Sequence, residues 1–144
     1  MVSYLVTGAN RGLGLALVVK LSSLPDTLIF AAARTSSPAL QSLINSSNGK
    51  ITELSLEISK PASIVAAVEV VQKHLGDNGL DVLINNAGTQ PYTPGGTAMM
   101  DDLTATLEVN VTSVHRVTAA FLPLLRKGSE RKVVNMWVAF AKPP

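Results

Sequence analysis

A glycine-rich segment near the amino terminus is the pattern best suited to bind a ligand through the backbone. It reads Gly8-Ala9-Asn10-Arg11-Gly12-Leu13-Gly14, and it lies between a short apolar strand and a helix-like stretch. A dinucleotide pyrophosphate is anionic and must approach the backbone closely, so free N–H groups at a helix start and small residues suit it. We predict that Gly8 forms the turn, Gly12 permits close approach and Gly14 lets the helix pack on the sheet. The candidate ligand contacts are Gly8, Asn10, Arg11, Gly12, Leu13 and Gly14.

The spacing of this segment is G-x-x-x-G-x-G, which differs from the G-x-G-x-x-G of the older dehydrogenase fingerprint. Glycine spacing alone is weak evidence, but a position between a strand and a helix strengthens it considerably. A plain strand–helix turn is the alternative interpretation. The context favours a dinucleotide site over that alternative.

The residues after the second apolar stretch bear on which nicotinamide cofactor would bind. The chain reads Ala32-Ala33-Arg34-Thr35 there, and the only nearby acid, Asp26, lies at the opposite end of the strand. An acid at this place favours the ribose 2′-hydroxyl of NAD, whereas an arginine accepts the 2′-phosphate of NADP. Arg34 and Arg11, with Thr35 or Ser36, therefore predict NADP(H) as the cofactor. The alternative is that Arg34 is only a solvated strand end.

Strand-like and helix-like patterns alternate along the chain, which predicts a parallel sheet covered by helices on both faces. We expect strands at 4–6, 28–33, 51–56, 80–84 and 132–138, and helices at 12–22, 38–45, 60–75 and 99–125. Ser59 is the expected cap of the third helix, and Pro123 is expected to kink or end the fourth. The fold class is α/β, a three-layer Rossmann-type doubly wound parallel sheet of about five strands. Residues 1–144 form a single NAD(P)-binding domain in this prediction.

Composition narrows the class of protein. Of the 144 residues 47% are hydrophobic and 15% are charged, the formal net charge is +2, and there is no cysteine. The basic residues are scattered, and the run from Arg126 to Lys132 fits a solvated loop better than a phosphate-binding patch, so no nucleic-acid partner is expected. Disulfides and a thiolate metal site are excluded, and no metal site is predicted. Without a leader pattern or an apolar run of about 20 residues, we expect a cytoplasmic protein with no membrane partner.

A second motif, Asn85-Asn86-Ala87-Gly88, ends the predicted fourth strand. Together with the glycine-rich segment it resembles the short-chain dehydrogenase/reductase family, whose members reduce carbonyls or oxidise alcohols with NAD(P). The resemblance implies that Asn86, Ala87 and Gly88 hold the central sheet together and touch the adenosine ribose. A bare turn is the alternative for this motif.

The same resemblance implies roles for two further residues. Glu57 stands where the family has an aspartate that meets the adenine ring, although it could also be a surface residue before a helix. Asn110 matches the asparagine that bends the long central helix and holds a water beside the catalytic lysine. Glu57 and Asn110 complete the predicted cofactor-binding set, which also includes Arg34 and Thr35.

The family resemblance also implies a catalytic serine and a Tyr-x-x-x-Lys motif. Val138 stands at the serine position, and neither Tyr4 nor Tyr92 is followed by a lysine at the fourth place. We therefore predict no catalytic residue here, and a family fold truncated after about five strands. The first interpretation is an NADP(H)-dependent oxidoreductase by ancestry, catalytically impaired. The alternatives are a non-catalytic cofactor- or partner-binding fragment and a non-functional remnant.

Two further expectations depend on the resemblance and on the last strand. Residues 28–34 and 92–96 look like the small fungal carbonyl-reductase-like branch, in which secondary metabolism is a common setting. The fifth strand would form an apolar sheet edge containing Val133 and Val134, and such edges pair readily with another chain. We therefore hypothesise a homo-oligomer or a partner chain at this edge.

Overall fold

The computed structural model describes residues 1–90, 99 and 101–136, and it contains a parallel sheet of five strands. The strands are β1 (Val2–Thr7), β2 (Thr27–Ala33), β3 (Ile51–Ser55), β4 (Val82–Asn85) and β5 (Lys132–Asn135). The helices are α1 (Gly12–Ser22), α2 (Pro38–Ser46), α3 (Pro61–Leu75), α4 (Leu103–Leu107) and α5 (Ser113–Lys127), with a π-helical turn at Glu108–Thr112 between the last two. The strand order β3-β2-β1-β4-β5 and the parallel pairing confirm the predicted Rossmann-type sheet.

Helices cover both faces of the sheet, as the apolar β2 predicts. Every residue of β2 is buried, and its side chains alternate between two separate hydrophobic clusters. Phe30 belongs to one cluster with Val71 of α3 and Phe121 of α5, whereas Ile29 belongs to the cluster on the other face, with Val18 of α1 and Leu40 of α2. The three predicted layers are therefore present, with α3 and α5 on one face and α1 and α2 on the other.

Two predicted helix starts differ from the observed ones. Helix α3 begins at Pro61, and its N-cap residue is Lys60, whose side chain makes no capping hydrogen bond. The hydroxyl of Ser59, the predicted cap, donates to Glu57 Oε1 at 3.3 Å. The long helix expected at 99–125 begins at Leu103, is interrupted by the π-helical turn and continues to Lys127. Pro123 does not end this helix, and it lies on the exposed side, where solvent can satisfy the released carbonyl.

The fifth strand is shorter than predicted in the part of the chain that the structure describes. It ends at Asn135, although the N–H of Met136 still donates to the carbonyl oxygen of Asn85 at 2.9 Å. Trp137 and Val138, which the pattern assigned to the strand, lie outside the described residues.

A buried carboxylate, Asp81, ties the amino-terminal edge of the sheet together. Its Oδ2 accepts from the N–H and hydroxyl of Ser3 at 2.8 and 3.0 Å, and its Oδ1 accepts from the N–H and hydroxyl of Ser129, both at 2.7 Å. Burial alone would raise the pKa of Asp81, but these hydrogen bonds outweigh it and lower the pKa to about 2. The sequence contains no local sign of this cluster, because Ser3 and Asp81 are 78 residues apart.

Candidate cofactor site

A cavity of about 840 Å³ lies at the carboxyl edge of the sheet, the edge at which ligands of open parallel sheets bind. Its described lining contains two arginines and no aspartate or glutamate. The lining residues are Gly8, Asn10, Arg11, Gly12, Leu13, Gly14, Ala33, Arg34, Thr35, Leu56, Ile58, Ser59, Asn86, Ala87, Gly88, Thr89, Ala105, Thr106 and Val109. The structure therefore brings together eleven of the thirteen predicted site residues, all but Glu57 and Asn110.

The glycine-rich loop has the backbone that its sequence requires. Gly8 and Gly12 adopt φ values of +69° and +54°, a region that disfavours side chains. A Cβ on Gly14 would lie 2.1 Å from the carbonyl oxygen of Gly8, so α1 approaches the loop too closely for any other residue. A Cβ on Gly12 would meet nothing within 4 Å, because this glycine borders the open cavity. Arg11 provides no side-chain cap to α1, which leaves first-turn N–H groups for a ligand.

Hydrogen bonds join the end of β1 to the segment that follows β4, beside the glycine-rich loop. The buried Thr7 hydroxyl accepts from the N–H groups of Asn86 and Ala87, both at 3.0 Å. The amide nitrogen of Asn86 donates to the carbonyl oxygens of Thr7 at 2.9 Å and Gly8 at 3.4 Å. The Asn86 side chain therefore holds the start of the glycine-rich loop in place. Thr7 was not among the predicted site residues, although a polar residue at the end of an apolar strand was an available signal.

A second set of hydrogen bonds joins the glycine-rich loop to the end of β2. Asn10 Nδ2 donates to the carbonyl oxygen of Thr35 at 3.0 Å, and the Ser37 hydroxyl donates to the carbonyl oxygen of Asn10 at 2.6 Å. Ser37 also caps α2 by accepting from the N–H of Leu40 at 3.1 Å. These contacts hold the segment that carries Arg34 beside the loop that carries Arg11.

A smaller cavity of about 280 Å³ shares Ala33 and Arg34 with the first and adds Ser36, Glu53 and Ser55. Glu53 was not among the predicted site residues, and it pairs with Ala31 of β2 in the sheet register. Its Oε2 accepts from Gln41 Nε2 at 2.5 Å, and the same nitrogen donates to the Ser36 hydroxyl at 2.8 Å. The carboxylate of Glu53 is therefore engaged by α2 beside Arg34.

The Glu57 carboxylate does not line the main cavity. It forms an ion pair with Lys60 at 3.0 Å and accepts from the Ser59 hydroxyl at 3.3 Å. The hydrogen bond from Lys60 lowers the pKa of Glu57, with a smaller opposing effect of burial. Glu57 thus lies at the start of α3, beside the cavity rather than in its wall.

Asn110 lies in the π-helical turn and also stays out of the cavity wall. Its Nδ2 donates to the carbonyl oxygen of Thr89 at 2.7 Å, and its Oδ1 accepts from the N–H of Thr89 at 2.8 Å. This reciprocal pair fastens the segment after β4 to the helix, while the neighbouring Val109 lines the cavity. Single π-helical turns occur often at functional sites, in agreement with this position.

Comparison with known proteins identifies the family. Residues 3–143 match the family model described as short chain dehydrogenase.

The chain belongs to the short-chain dehydrogenase family.

Two fungal members of this family illustrate the similarity. The short-chain dehydrogenase anuI of Penicillium roqueforti is 36% identical over 92% of this chain and 54% of its own length. The short-chain dehydrogenase/reductase AacuF of Aspergillus aculeatus is 34% identical over 99% of this chain and 56% of its own length. The chain thus spans about half the length of these relatives.

Solved structures of the family show the same fold. The NADPH-bound carbonyl reductase from chicken fatty liver superposes with a TM-score of 0.78 at 35% identity, covering 87% of this chain and 52% of that protein.

Among the described residues of this short-chain dehydrogenase, no helix is both long and apolar enough to cross a membrane. Val138 and Tyr92, considered above for catalysis, lie outside the described residues.

Proposed function

We propose that this short-chain dehydrogenase binds NADP(H) in the 840 Å³ cavity as the cofactor-binding part of an oxidoreductase. The observation that carries the proposal is the lining itself, which combines a glycine-rich helix start with Arg11 and Arg34 and has no carboxylate in its described part. An anionic dinucleotide with an added 2′-phosphate fits this charge. The NADPH in the similar carbonyl reductase supports the same cofactor.

The residues of the cavity divide by the part of the cofactor that each would hold. The loop from Gly8 to Gly14 suits the pyrophosphate, because its N–H groups are available and no Cβ intrudes. Arg34 and Thr35 suit the 2′-phosphate, and the segment from Asn86 to Gly88 suits a ribose. When bound, the dinucleotide would donate a hydride to a carbonyl or accept one from an alcohol. The chain's own groups bind it, orient it and match its charge.

Turnover needs a proton donor in addition to the cofactor. The resemblance implies a serine at position 138, where valine has no hydrogen-bonding group, and neither Tyr4 nor Tyr92 begins a Tyr-x-x-x-Lys motif. We therefore propose cofactor binding without appreciable turnover by these 144 residues. A titration with NADPH, followed by cofactor fluorescence, tests binding, and NADPH oxidation with a panel of aldehydes and ketones tests turnover. Measurable oxidation would contradict the proposed impairment, and absence of saturable binding would contradict the cofactor itself.

Arg34 is the residue on which the choice of NADP(H) over NAD(H) depends. We expect Arg34→Asp to weaken NADPH binding by about 10- to 100-fold, because a charge-assisted hydrogen bond to phosphate is replaced by repulsion. NADH affinity should change little or improve, since it has only a 2′-hydroxyl at this place. Parallel titrations with both cofactors measure the ratio.

A matched control keeps the change in net charge constant. Arg126 is exposed in the last turn of α5 and does not line either cavity, so Arg126→Asp should leave both affinities unchanged. If Arg34→Asp lowered both affinities by the same factor, Arg34 would not select the 2′-phosphate.

A partner chain at the sheet edge is a second part of the proposal. β5 is the outer strand of the described sheet, and Val133 and Val134 are 40% and 39% exposed. An apolar edge strand favours pairing with another chain, so we propose self-association through β5. A monomer at every concentration in light scattering would contradict this self-association.

Cytoplasmic location and a role in secondary metabolism stay predictions from the sequence.

A further inference from the structure

The turn between α2 and β3 consists of Ser47, Asn48, Gly49 and Lys50. The N–H of Lys50 donates to the carbonyl oxygen of Ser47 at 3.2 Å, which closes the turn. Asn48 and Gly49, the two central residues, have φ values of +52° and +80°. A turn with two positive φ values favours Asn followed by Gly, because these residue types tolerate the left-handed region best. The geometry of the turn therefore explains why this dipeptide stands here.

An Asn-Gly sequence can also rearrange without an enzyme. The main-chain nitrogen of the glycine attacks the side-chain carbonyl carbon of the asparagine, a five-membered succinimide closes, and the side-chain nitrogen leaves as ammonia with the proton of the attacking nitrogen. Water then opens the ring at either carbonyl and yields aspartate or isoaspartate. One water is consumed and one ammonia is released, so no oxidant or reductant takes part. Glycine favours the reaction because no Cβ hinders the attack.

The contacts of Asn48 and Gly49 leave this reaction unhindered. Both residues are exposed, and among the described residues neither the Asn48 side chain nor the Gly49 N–H has a hydrogen-bond partner. A Cβ on Gly49 would meet nothing within 4 Å, so the backbone there borders open space. The amine of the neighbouring Lys50 donates to the carbonyl oxygen of Leu24 at 3.2 Å and is directed away from the asparagine. The attacking nitrogen and the asparagine side chain are therefore free to meet.

The second Asn-Gly sequence of the chain, Asn78-Gly79 between α3 and β4, has the opposite surroundings. Asn78 donates to the carbonyl oxygen of Leu75 through its N–H at 3.1 Å and through its Nδ2 at 3.3 Å. Gly79 is buried, and its carbonyl oxygen accepts from the Ser3 hydroxyl at 3.2 Å. A Cβ on Gly79 would lie 2.0 Å from the nitrogen of Gly128. Ring closure would have to move this backbone against the end of α5, so the fold opposes it.

We propose that Asn48 is a site of spontaneous conversion to aspartate and isoaspartate in the folded chain, and that the fold protects Asn78 from the same reaction. The turn lies at the amino edge of the sheet, whereas the cavity lies at the carboxyl edge, so the site is separate from the proposed cofactor site. Isoaspartate at position 48 carries a free α-carboxylate and one additional main-chain methylene. This is the group that isoaspartate methyltransferases dependent on S-adenosylmethionine recognise, and such an enzyme is the class of partner that the modified turn fits.

The experiment incubates the folded chain at mildly alkaline pH and follows the peptides that contain Asn48 and Asn78 by tandem mass spectrometry over several days. Conversion raises the mass of the peptide because a hydroxyl group replaces an amino group, and an isoaspartate methyltransferase with labelled S-adenosylmethionine marks the isoaspartate product. We expect Asn48 to convert at least about 10-fold faster than Asn78, as a barrier difference of about 1.4 kcal/mol would give. A sample digested at time zero measures what forms during digestion.

Two controls separate the effect of the fold from that of the dipeptide. In denaturant the contacts of Asn78 and Gly79 are lost, so the two Asn-Gly sequences should convert at similar rates. Asn48→Gly fits the turn because glycine also adopts a positive φ, and it should abolish the signal at position 48 while leaving that of Asn78 unchanged.

Equal rates at Asn48 and Asn78 in the folded chain would overturn the inference. An Asn48 that stays intact in the folded chain while it converts in denaturant would also overturn it, because the turn would then be protective. None of these measurements uses a cofactor, so a failure to bind NADPH would overturn the proposed function and leave this inference standing.

Discussion

Gly12→Asp is expected to weaken NADPH binding by at least about 100-fold while leaving the fold intact. Gly12 borders the cavity at the start of α1, where the pyrophosphate is proposed to lie, so a carboxylate there would repel it at short range. A Cβ at Gly12 meets nothing within 4 Å, and aspartate tolerates the positive φ of +54° better than most residues. Fluorescence titration with NADPH measures the affinity, and circular dichroism verifies the fold.

Gly12→Asn is the matched control, because it has nearly the same shape and no charge. We expect it to weaken NADPH binding by about 10-fold at most, since only close approach is impaired. Equal losses in the two variants would show that shape rather than charge accounts for the effect. Unchanged binding in Gly12→Asp would exclude the glycine-rich loop as the pyrophosphate site.

Asp81→Asn is expected to lower the free energy of unfolding by about 2 kcal/mol at neutral pH. Asp81 is 5% exposed, and its carboxylate accepts hydrogen bonds from Ser3 and Ser129, which join β1 and β4 to the segment before β5. The pKa of Asp81, about 2 in the fold against a reference of 3.8, corresponds to this magnitude. Denaturant unfolding of both chains measures the difference.

The pH dependence of the Asp81 effect has a defined sign. Because folding lowers the pKa, the ionised carboxylate stabilises the fold fully above about pH 4 and loses this contribution as the pH falls through about 2. The difference between the unaltered chain and Asp81→Asn should therefore be constant near neutrality and shrink in acid. Asp77→Asn removes an exposed carboxylate from the neighbouring turn and should leave stability unchanged. A difference that grew in acid would contradict the assignment.

The glycine-rich loop was predictable because its requirements are local. A positive φ at Gly8 and the 2.1 Å approach at Gly14 follow from a tight strand–turn–helix, and glycine is the residue type that permits both. The apolar β2 likewise predicted a strand covered on both faces, since period and burial are encoded in consecutive residues. The resemblance to the family added Asn86, whose amide the structure places against the glycine-rich loop.

The length of the central helix was less predictable. Apolar spacing alone suggested one continuous helix, whereas the described chain contains a π-helical turn around Asn110. The reciprocal hydrogen bonds between Asn110 and Thr89 join residues 21 positions apart, so a periodicity argument cannot detect them.

Local residue patterns predicted the fold class, the glycine-rich loop and the cationic end of β2, because each depends on residue types that are adjacent in the chain. The hydrogen bonds of Thr7 with Asn86, and of Asp81 with Ser3 and Ser129, became evident only in the folded chain, as did the position of Glu57 outside the cavity lining. A polar side chain has several partners within reach, and the choice among them depends on which distant segments the sheet brings together.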